Sequence, residues 1–412
     1  MNEPSLANAF LFRQPILDRN QSLTGYQLSL DNGTAVDRHQ AAGALCAAYS
    51  ELGLRNALGN HSAYIGIDDA FLCQAAVELL PAEGVILELI FNSLPDEESL
   101  ARCRNLRARG YSLALSDYGG IDDRSRPLLP MIDIIEIDLH HTREEDLRDL
   151  AASLRHLPIK LLAQNVDSRE RMESCHSIGF DLFQGRFFAQ PEIVKGRRLS
   201  ATQTALIRLI NLLNRDVETT VLEDAFKHEP ALMLNLLRVV NAVGHRGTRL
   251  AHPVTSLRHA ITLLGRRQLQ RWLSLLLLAP AGGGDPLRSP LLQVAALRGR
   301  MMELLIDLNQ SKDDARLGDL AFLTGILSMM PTALGLPLED ILQQVTVETQ
   351  VKGALCEHHG LLGRSLALLE CFDYDDAACC DRLLTDMPGQ ISRQVLNKCL
   401  SNALRWLNGG GE

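Results

Sequence analysis

Residues 85–90 read Val85-Ile86-Leu87-Glu88-Leu89-Ile90, an almost unbroken apolar run with one carboxylate set inside it. A strand with one solvated face alternates apolar and polar residues, whereas a strand buried on both faces, as in a parallel sheet, does not. Comparable short apolar runs occur at 10–16, 23–30, 63–67, 112–115, 134–137, 161–163 and 182–184. Stretches of helical character separate most of them, at 35–52, 100–109, 144–157 and 168–178. Repeated strand–helix units of this kind define an α/β fold with a parallel sheet. Eight such strands predict a TIM-like (β/α)8 barrel, compact for its class.

The character of the chain changes around 191–200, where Pro191, Gly196, Arg197 and Arg198 make a short polar connection. From Ala201 the periodicity is helical, with Leu206-Ile207, Leu209-Ile210 and Leu212-Leu213 on successive turns. Further helices are predicted at 231–242, 256–264, 269–278, 291–308 and 320–328, with Thr255 or Ser256 as an N-cap before Leu257. The fold class is therefore α/β plus all-α: a barrel domain over 1–192 and a helical domain over 200–408. A length of 412 residues with 46% hydrophobic content supports this division. The formal net charge of −9 argues against a nucleic-acid partner. The N-terminal residues lack a signal-peptide pattern, and the most apolar run, 273–279, is too short to span a bilayer. A cytoplasmic protein with no membrane partner is expected. Nine cysteines without a Cys-x-x-Cys, two of them adjacent at Cys379-Cys380, predict reduced and mostly buried thiols.

In a barrel the working residues stand at the C-terminal ends of the strands. Glu88, Asp117, Asp138 and Gln184 occupy such positions. A carboxylate inside a core strand is costly unless it is paired, hydrogen-bonded or bound to metal. Glu88 and Asp117 could form part of a two-cation site for phosphodiester hydrolysis, but by themselves they are too few.

Several motifs resemble the EAL-domain family of cyclic di-GMP phosphodiesterases. They are Phe12-Arg13-Gln14-Pro15-Ile16-Leu17-Asp18, Gly25-Tyr26-Gln27-Leu28-Ser29, Leu87-Glu88-Leu89, Leu115-Ser116-Asp117-Tyr118-Gly119, Ile134-Ile135-Glu136-Ile137-Asp138, Leu162-Ala163-Gln164-Asn165-Val166-Asp167 and Phe183-Gln184-Gly185. The resemblance covers the whole first half and implies a barrel in which carboxylates and an asparagine hold two metals. The departures from it are as informative. The family's signature glutamate is Gln27 here, its metal-binding asparagine is Gly66, and the first of its paired aspartates is Ser116. Its catalytic lysine is Glu136, and the glutamate of its Ala-Glu-Gly-Val-Glu stretch is Gln164. Glu88, Asp117 and Gln184 are kept. The arginine that grips the ligand phosphate falls at Asp31, whose charge would repel a phosphate and counts against cyclic di-GMP binding. Together with Gln14 these positions read as a vestigial pocket with no catalytic residue, no metal and no cofactor.

The second half resembles the HDOD family, helical relatives of the HD phosphohydrolases. It does so through Lys227-His228-Glu229-Pro230-Ala231-Leu232, Leu236-Leu237-Arg238-Val239-Val240-Asn241-Ala242 and residues 255–265. None of the twelve histidines precedes an aspartate, so the His-Asp metal motif is absent. His358-His359 reads as a helix end and His259 as packed within the bundle. Arg266, Arg267, Arg271 and Trp272 combine residue types enriched at interface hot spots and form the candidate partner surface, with Trp272 equally able to be core. The resemblance implies a non-catalytic signalling regulator or scaffold that contacts other signalling proteins. Its rivals are a cyclic di-GMP receptor that binds without cleaving and an active phosphodiesterase.

Overall fold

The computed structural model describes residues 8–31, 38–91, 93–116, 118–120, 122, 125–191, 193, 199–244, 254, 256–279, 289–309, 315–389 and 391–409. Eight strands close into a barrel in sequence order: β1 (Phe10–Asp18), β2 (Leu23–Asp31), β3 (Ser62–Asp68), β4 (Val85–Ile90), β5 (Ser112–Leu115), β6 (Ile134–Asp138), β7 (Lys160–Val166) and β8 (Leu182–Gly185). The helices that follow the strands are α1 (Arg38–Glu51), α2 (Leu54–Leu58), α3 (Asp69–Leu72), α4 (Glu97–Ala108), α5 (Glu144–Leu154) and α6 (Arg169–Ile178). Ile16, Tyr64, Ala114, Ile134, Leu162 and Leu182 pack into one buried cluster inside the barrel.

The uniform (β/α)8 expectation is corrected at the first strand. β1 runs antiparallel to both its neighbours, with Gln14 opposite Gln27 on β2 and Ile16 opposite Gln184 on β8. The remaining pairs are parallel. The cause is local. A parallel crossover needs a dozen or more residues, and the link from Asp18 to Leu23 is far shorter. It folds as a turn in which the Asp18 carboxylate accepts from the amides of Asn20 (2.8 Å) and Ser22 (2.9 Å).

The rest of the chain is helical: α7 (Ala201–Asn214), α8 (Thr219–Lys227), α9 (Pro230–Gly244), α10 (Leu257–Leu277), α11 (Pro290–Asn309), α12 (Ala315–Leu327), α13 (Met330–Leu334), α14 (Leu338–Gln344), α15 (Thr349–Glu357), α16 (Gly360–Asp373), α17 (Ala377–Asp386) and α18 (Arg393–Leu407). Ser256 caps α10 by accepting from the amide of His259 at 3.2 Å, as its sequence predicts. Gly265, at φ 75°, interrupts this helix where two separate helices were expected. His259 itself is exposed, a correction to its expected burial: on its turn the core position is taken by Ala260. His358 ends α15 in a left-handed conformation, in line with the helix-end reading. The segment Arg316–Leu334 is long and apolar enough to cross a membrane, but 56% of its apolar window is buried inside the protein, as for a core helix.

The chain divides into two compact units: Met1–Gln190 with Arg288–Gln293 and Ala367–Glu412, and Pro191–Leu287 with Val294–Leu366. The barrel unit thus includes α17, α18 and the end of α16, residues that the sequence reading allotted to the helical domain. Strand geometry explains why. β8 pairs only with Ile16–Asp18, which leaves the first half of β1 without a strand on that side. Asn397 of α18, fully buried, fills the role: its Oδ1 accepts from the Leu11 amide at 2.8 Å and its Nδ2 donates to the Ala9 carbonyl at 2.9 Å. Phe372 adds apolar cover, with its ring 5.2 Å from Phe12 and 6.4 Å from Phe10.

A cysteine expectation is also corrected. Cys371 and Cys379 form a disulfide, their Cα atoms 5.8 Å apart. Cys379 is paired not with its neighbour Cys380 but with a residue on the preceding helix, brought close by the turn between α16 and α17. Cys46, Cys103, Cys175, Cys380 and Cys399 are buried thiols outside the disulfide, and Cys73 and Cys356 are exposed ones.

Candidate functional site: an amide and carboxyl network in the barrel

The barrel brings the expected pocket residues together, each from its own strand. Gln14 stands on β1, Gln27 on β2, Gly66 on β3 and Glu88 on β4; Glu136 stands on β6, Gln164 on β7 and Gln184 on β8. Ser116 follows β5, and Asp117 lies outside the described residues. Strand register places Gly66 beside Glu88. A Cβ added at Gly66 would sit 3.3 Å from the Ile90 side chain and 3.7 Å from Glu88 Oε2, so a side chain there requires the tip of Ile90 to give way slightly.

Two hydrogen-bonded groups fill the interior. In the first, Gln184 Nε2 donates to the side-chain oxygens of both Gln14 and Gln27. Gln27 Nε2 then donates to both carboxyl oxygens of Glu88 at 3.0 Å, and Gln14 Nε2 donates to Asp375 Oδ2 at 2.6 Å. Gln184 therefore donates in both directions, and the chain of amides ends on an acid at each side. In the second, Glu136 Oε2 accepts from the Ser116 hydroxyl and from Gln164 Nε2 (2.9 Å). Glu136 is fully buried and Glu88 nearly so. Burial pushes the Glu88 carboxyl well above its ordinary range, and the neighbouring Glu136 pushes it further, outweighing the amide of Gln27.

Among the described residues this donor set holds few of the anionic oxygens that a pair of hard divalent cations takes. Such ions take several oxygens, most of them ionised. Here the Gln27 amide NH2 points at both Glu88 oxygens, and the Ser116 hydroxyl and the Gln164 amide occupy Glu136 Oε2. Among the described residues no group of three His, Cys, Asp or Glu side chains could hold a metal. The space left beside Ser116, lined also by Phe91, Leu115 and Tyr118, is about 10 Å³, room for about one water at most.

Precise backbone geometry holds the walls. Gly185, at φ 153°, passes so close to β7 that a Cβ would fall 2.0 Å from the Val166 carbonyl, so only glycine can follow Gln184 there. Asn165 takes a left-handed conformation (φ 59°), and its side chain donates to Asp138 at 2.8 Å. Asp138 also accepts from His141 at 2.8 Å and is held below its ordinary pKa by these bonds despite its burial.

The C-terminal return adds residues that sequence reasoning missed. Asp375 accepts from Arg186 Nη2 at 2.9 Å as well as from Gln14, Asp373 lies 3.8 Å from Arg13, and the Arg186 guanidinium stacks 4.5 Å over the Tyr374 ring. Burial raises Asp375 to about 6, against the opposing pull of Arg186. The only local signal was the acidic-aromatic string Asp373-Tyr374-Asp375-Asp376, and nothing in it points to a barrel some 190 residues earlier.

In the helical unit, of the arginines expected at a partner surface Arg271 turns inward, Arg266 is half-buried and Arg267 stays exposed. Arg271 bonds Glu303 and Asp319 (2.8 Å) and lies 4.2 Å over the Phe322 ring. Arg267 pairs with Glu303 at 3.0 Å and with Asp319. Arg266 donates to the Val217 carbonyl and lies 3.2 Å from Asp216. Trp272 is half-buried. Burial pushes the Glu303 carboxyl up, but Arg271 and Arg300 more than reverse this and keep it ionised.

The family model of the EAL domain matches residues 68–191, from the end of β3 through β8. Residues 68–191 of the barrel are thus similar to the EAL domain. Two relatives align along most of the chain. The uncharacterised protein YuxH of Bacillus subtilis is 24% identical over 409 residues, covering 96% of this chain and 97% of its own. The cyclic di-GMP phosphodiesterase CdgJ of Vibrio cholerae is 27% identical over 386 residues, covering 91% of this chain and 87% of its own. Among solved structures, an EAL domain protein from Listeria monocytogenes aligns with 45% of this chain and 88% of its own, at 17% identity and a TM-score of 0.37. BlrP1 of Klebsiella pneumoniae, in a manganese and cyclic di-GMP complex, aligns with 45% of this chain and 56% of its own, at 18% identity and a TM-score of 0.36.

Proposed function

We propose that this protein is a non-catalytic signalling regulator of the EAL–HDOD class, acting through contacts with other signalling proteins. The observation that carries the reading is the barrel interior, where both oxygens of Glu88 accept from the Gln27 amide and Glu136 Oε2 accepts from Ser116 and Gln164. Oxygens already engaged by neutral donors are poor cation ligands, and the amides at Gln27 and Gln164 supply no anionic oxygen. The helical half, read as an HDOD domain, is then the output module. Trp272 and the exposed edge of Arg267 remain its candidate contact, since Arg271 is committed internally.

The test is turnover of cyclic di-GMP by the purified full-length protein in magnesium and in manganese. No linear dinucleotide above background is expected, and Gln27→Glu alone is expected to leave that unchanged because metal ligands act as a set. Metal-dependent product in proportion to protein concentration would overturn the proposal. The similarity to CdgJ favours a second reading, retained phosphodiesterase activity, and the same assay decides it. Calorimetric titration with cyclic di-GMP separates the regulator from a receptor: heat of binding without turnover selects the receptor.

A further inference from the structure

We propose that residues 371–379 form a redox-gated cap over the barrel mouth between β1 and β8, closed while Cys371 and Cys379 are joined and released when they are reduced.

The cap lies within the barrel unit and is defined by three sets of contacts. Its ends are fastened to each other by the disulfide, one half in the last turn of α16 and the other in the first turn of α17. Its middle is fastened to the barrel by Asp373 against Arg13, Tyr374 beneath Arg186, and Asp375 against Gln14 and Arg186. Asp376 caps α17 by accepting from the Cys379 amide at 2.8 Å. Gln14 is also the outer end of the amide chain that runs through Gln184 and Gln27 to Glu88, so the cap touches the barrel interior through one continuous set of hydrogen bonds.

The polar contacts alone are a weak clasp. Ion pairs that keep some solvent contact contribute little each, and ordering a turn costs conformational entropy for every residue in it. Asp375 adds to that cost, because it adopts a left-handed backbone (φ 52°) that non-glycine residues occupy only when their surroundings enforce it. A covalent link across eight residues removes most of the alternative conformations of the turn and lets the weak contacts hold. Reduction restores those alternatives. Both cysteines are half-buried and Tyr374 is 60% exposed, so a small dithiol can reach the bond. The step is thiol–disulfide exchange: the dithiol's thiolate attacks one sulfur, the S–S bond breaks, and a second thiolate closes the oxidised dithiol. Two electrons and two protons pass to Cys371 and Cys379, which leave as thiols. Opening uncovers Arg13, Gln14 and Arg186 at the mouth.

The experiment is hydrogen exchange of the full-length protein, read by mass spectrometry, without and with dithiothreitol. Alkylation before reduction first counts the free thiols. The expected result is Cys371 and Cys379 unmodified until reductant is added. Exchange in peptides spanning 371–379, 10–17 and 183–188 should then rise at least tenfold, with the remaining barrel strands unchanged. Cys371→Ser without reductant should reproduce that pattern. Should that variant fail to fold, a titration of the wild-type protein across glutathione redox buffers gives the same reading. Alkylation of both cysteines before reduction, unchanged protection after it, or loosening of the whole barrel at once would each overturn the proposal.

Discussion

Glu88 and Glu136 meet where neither reaches water, and burial first and then the charge of Glu136 raise the Glu88 carboxyl. A carboxyl whose folded pKa is raised stabilises the fold at low pH, and that contribution is lost as pH rises through the folded value. Glu136→Gln keeps an acceptor for Ser116 and Gln164 and removes the like charge. It should therefore raise the melting temperature by about 1 °C at pH 8, the order expected for about 1 kcal/mol in a chain of 412 residues, with little effect at pH 5. Thermal denaturation at both values checks this; equal shifts at both would show that charge is not the cause. Asp375 follows the same sign at a lower value. Its pKa of about 6 reflects burial first, then Arg186, Gln14, Asp373 and Arg13 around it. Protection of 371–379 in hydrogen exchange, corrected for intrinsic rates, should be greatest at pH 5 and decline towards pH 7, and Asp375→Asn should flatten that profile. The sequence made the set of pocket residues legible because strand ends are legible. It did not show that Glu136, in the place of a cation, would draw Ser116 and Gln164 onto itself, since that depends on distances across the barrel.

Among the elements, the strands were readable almost to the residue, because the apolar runs are short and bounded by polar turns. The direction of β1 was readable too, from a link too short for a crossover, but periodicity alone does not carry direction. What no pattern in β1 reveals is that α18 supplies its missing edge. Asn397→Leu would leave the Leu11 amide and the Ala9 carbonyl without their partner in a buried site. At about 1–3 kcal/mol for each unsatisfied group, the loss should be about 2–5 kcal/mol, measured as a lower denaturation midpoint with an unchanged slope. α10 shows the same limit of local reading. A basic face on a helix is usually solvated, yet Arg271 is buried against Glu303 and Asp319. Arg271→Met should cost about 1.5–3 kcal/mol by removing one of the three arginines that hold the Glu303 charge, and Glu303→Gln in that background should recover part of it. Equal stability of Arg271→Met and wild type would restore a surface role for the arginine.

For the molecule as a whole, sequence order and compact units differ, because the barrel unit is completed by residues that follow the helical domain. A boundary near 191–200 is visible as a change of periodicity, whereas a return to the barrel 170 or so residues later leaves no local mark. The return has a measurable consequence for fragments. Leu396, Leu400 and Leu404 of α18 and Phe372 of α16 are buried, and α18 packs on β1 and α2. Each such side chain contributes about 1.5–3 kcal/mol when withdrawn from water, so together they rival the 5–15 kcal/mol net stability of a typical domain. A fragment ending at residue 199 also exposes the unpaired edge of β1 with Phe10 and Phe12 beside it, an arrangement that favours aggregation. Expressed alone, residues 1–199 should bind a hydrophobic dye and lack a cooperative melting transition. Co-expression with a second chain of residues 360–412 should yield a soluble one-to-one complex with such a transition restored. The rescue should fail with Asn397→Leu in the second chain, because the edge contact and not mere apolar cover is what β1 lacks. A cooperative transition in the 1–199 fragment within a few degrees of the full chain would show that the eight strands suffice without α18.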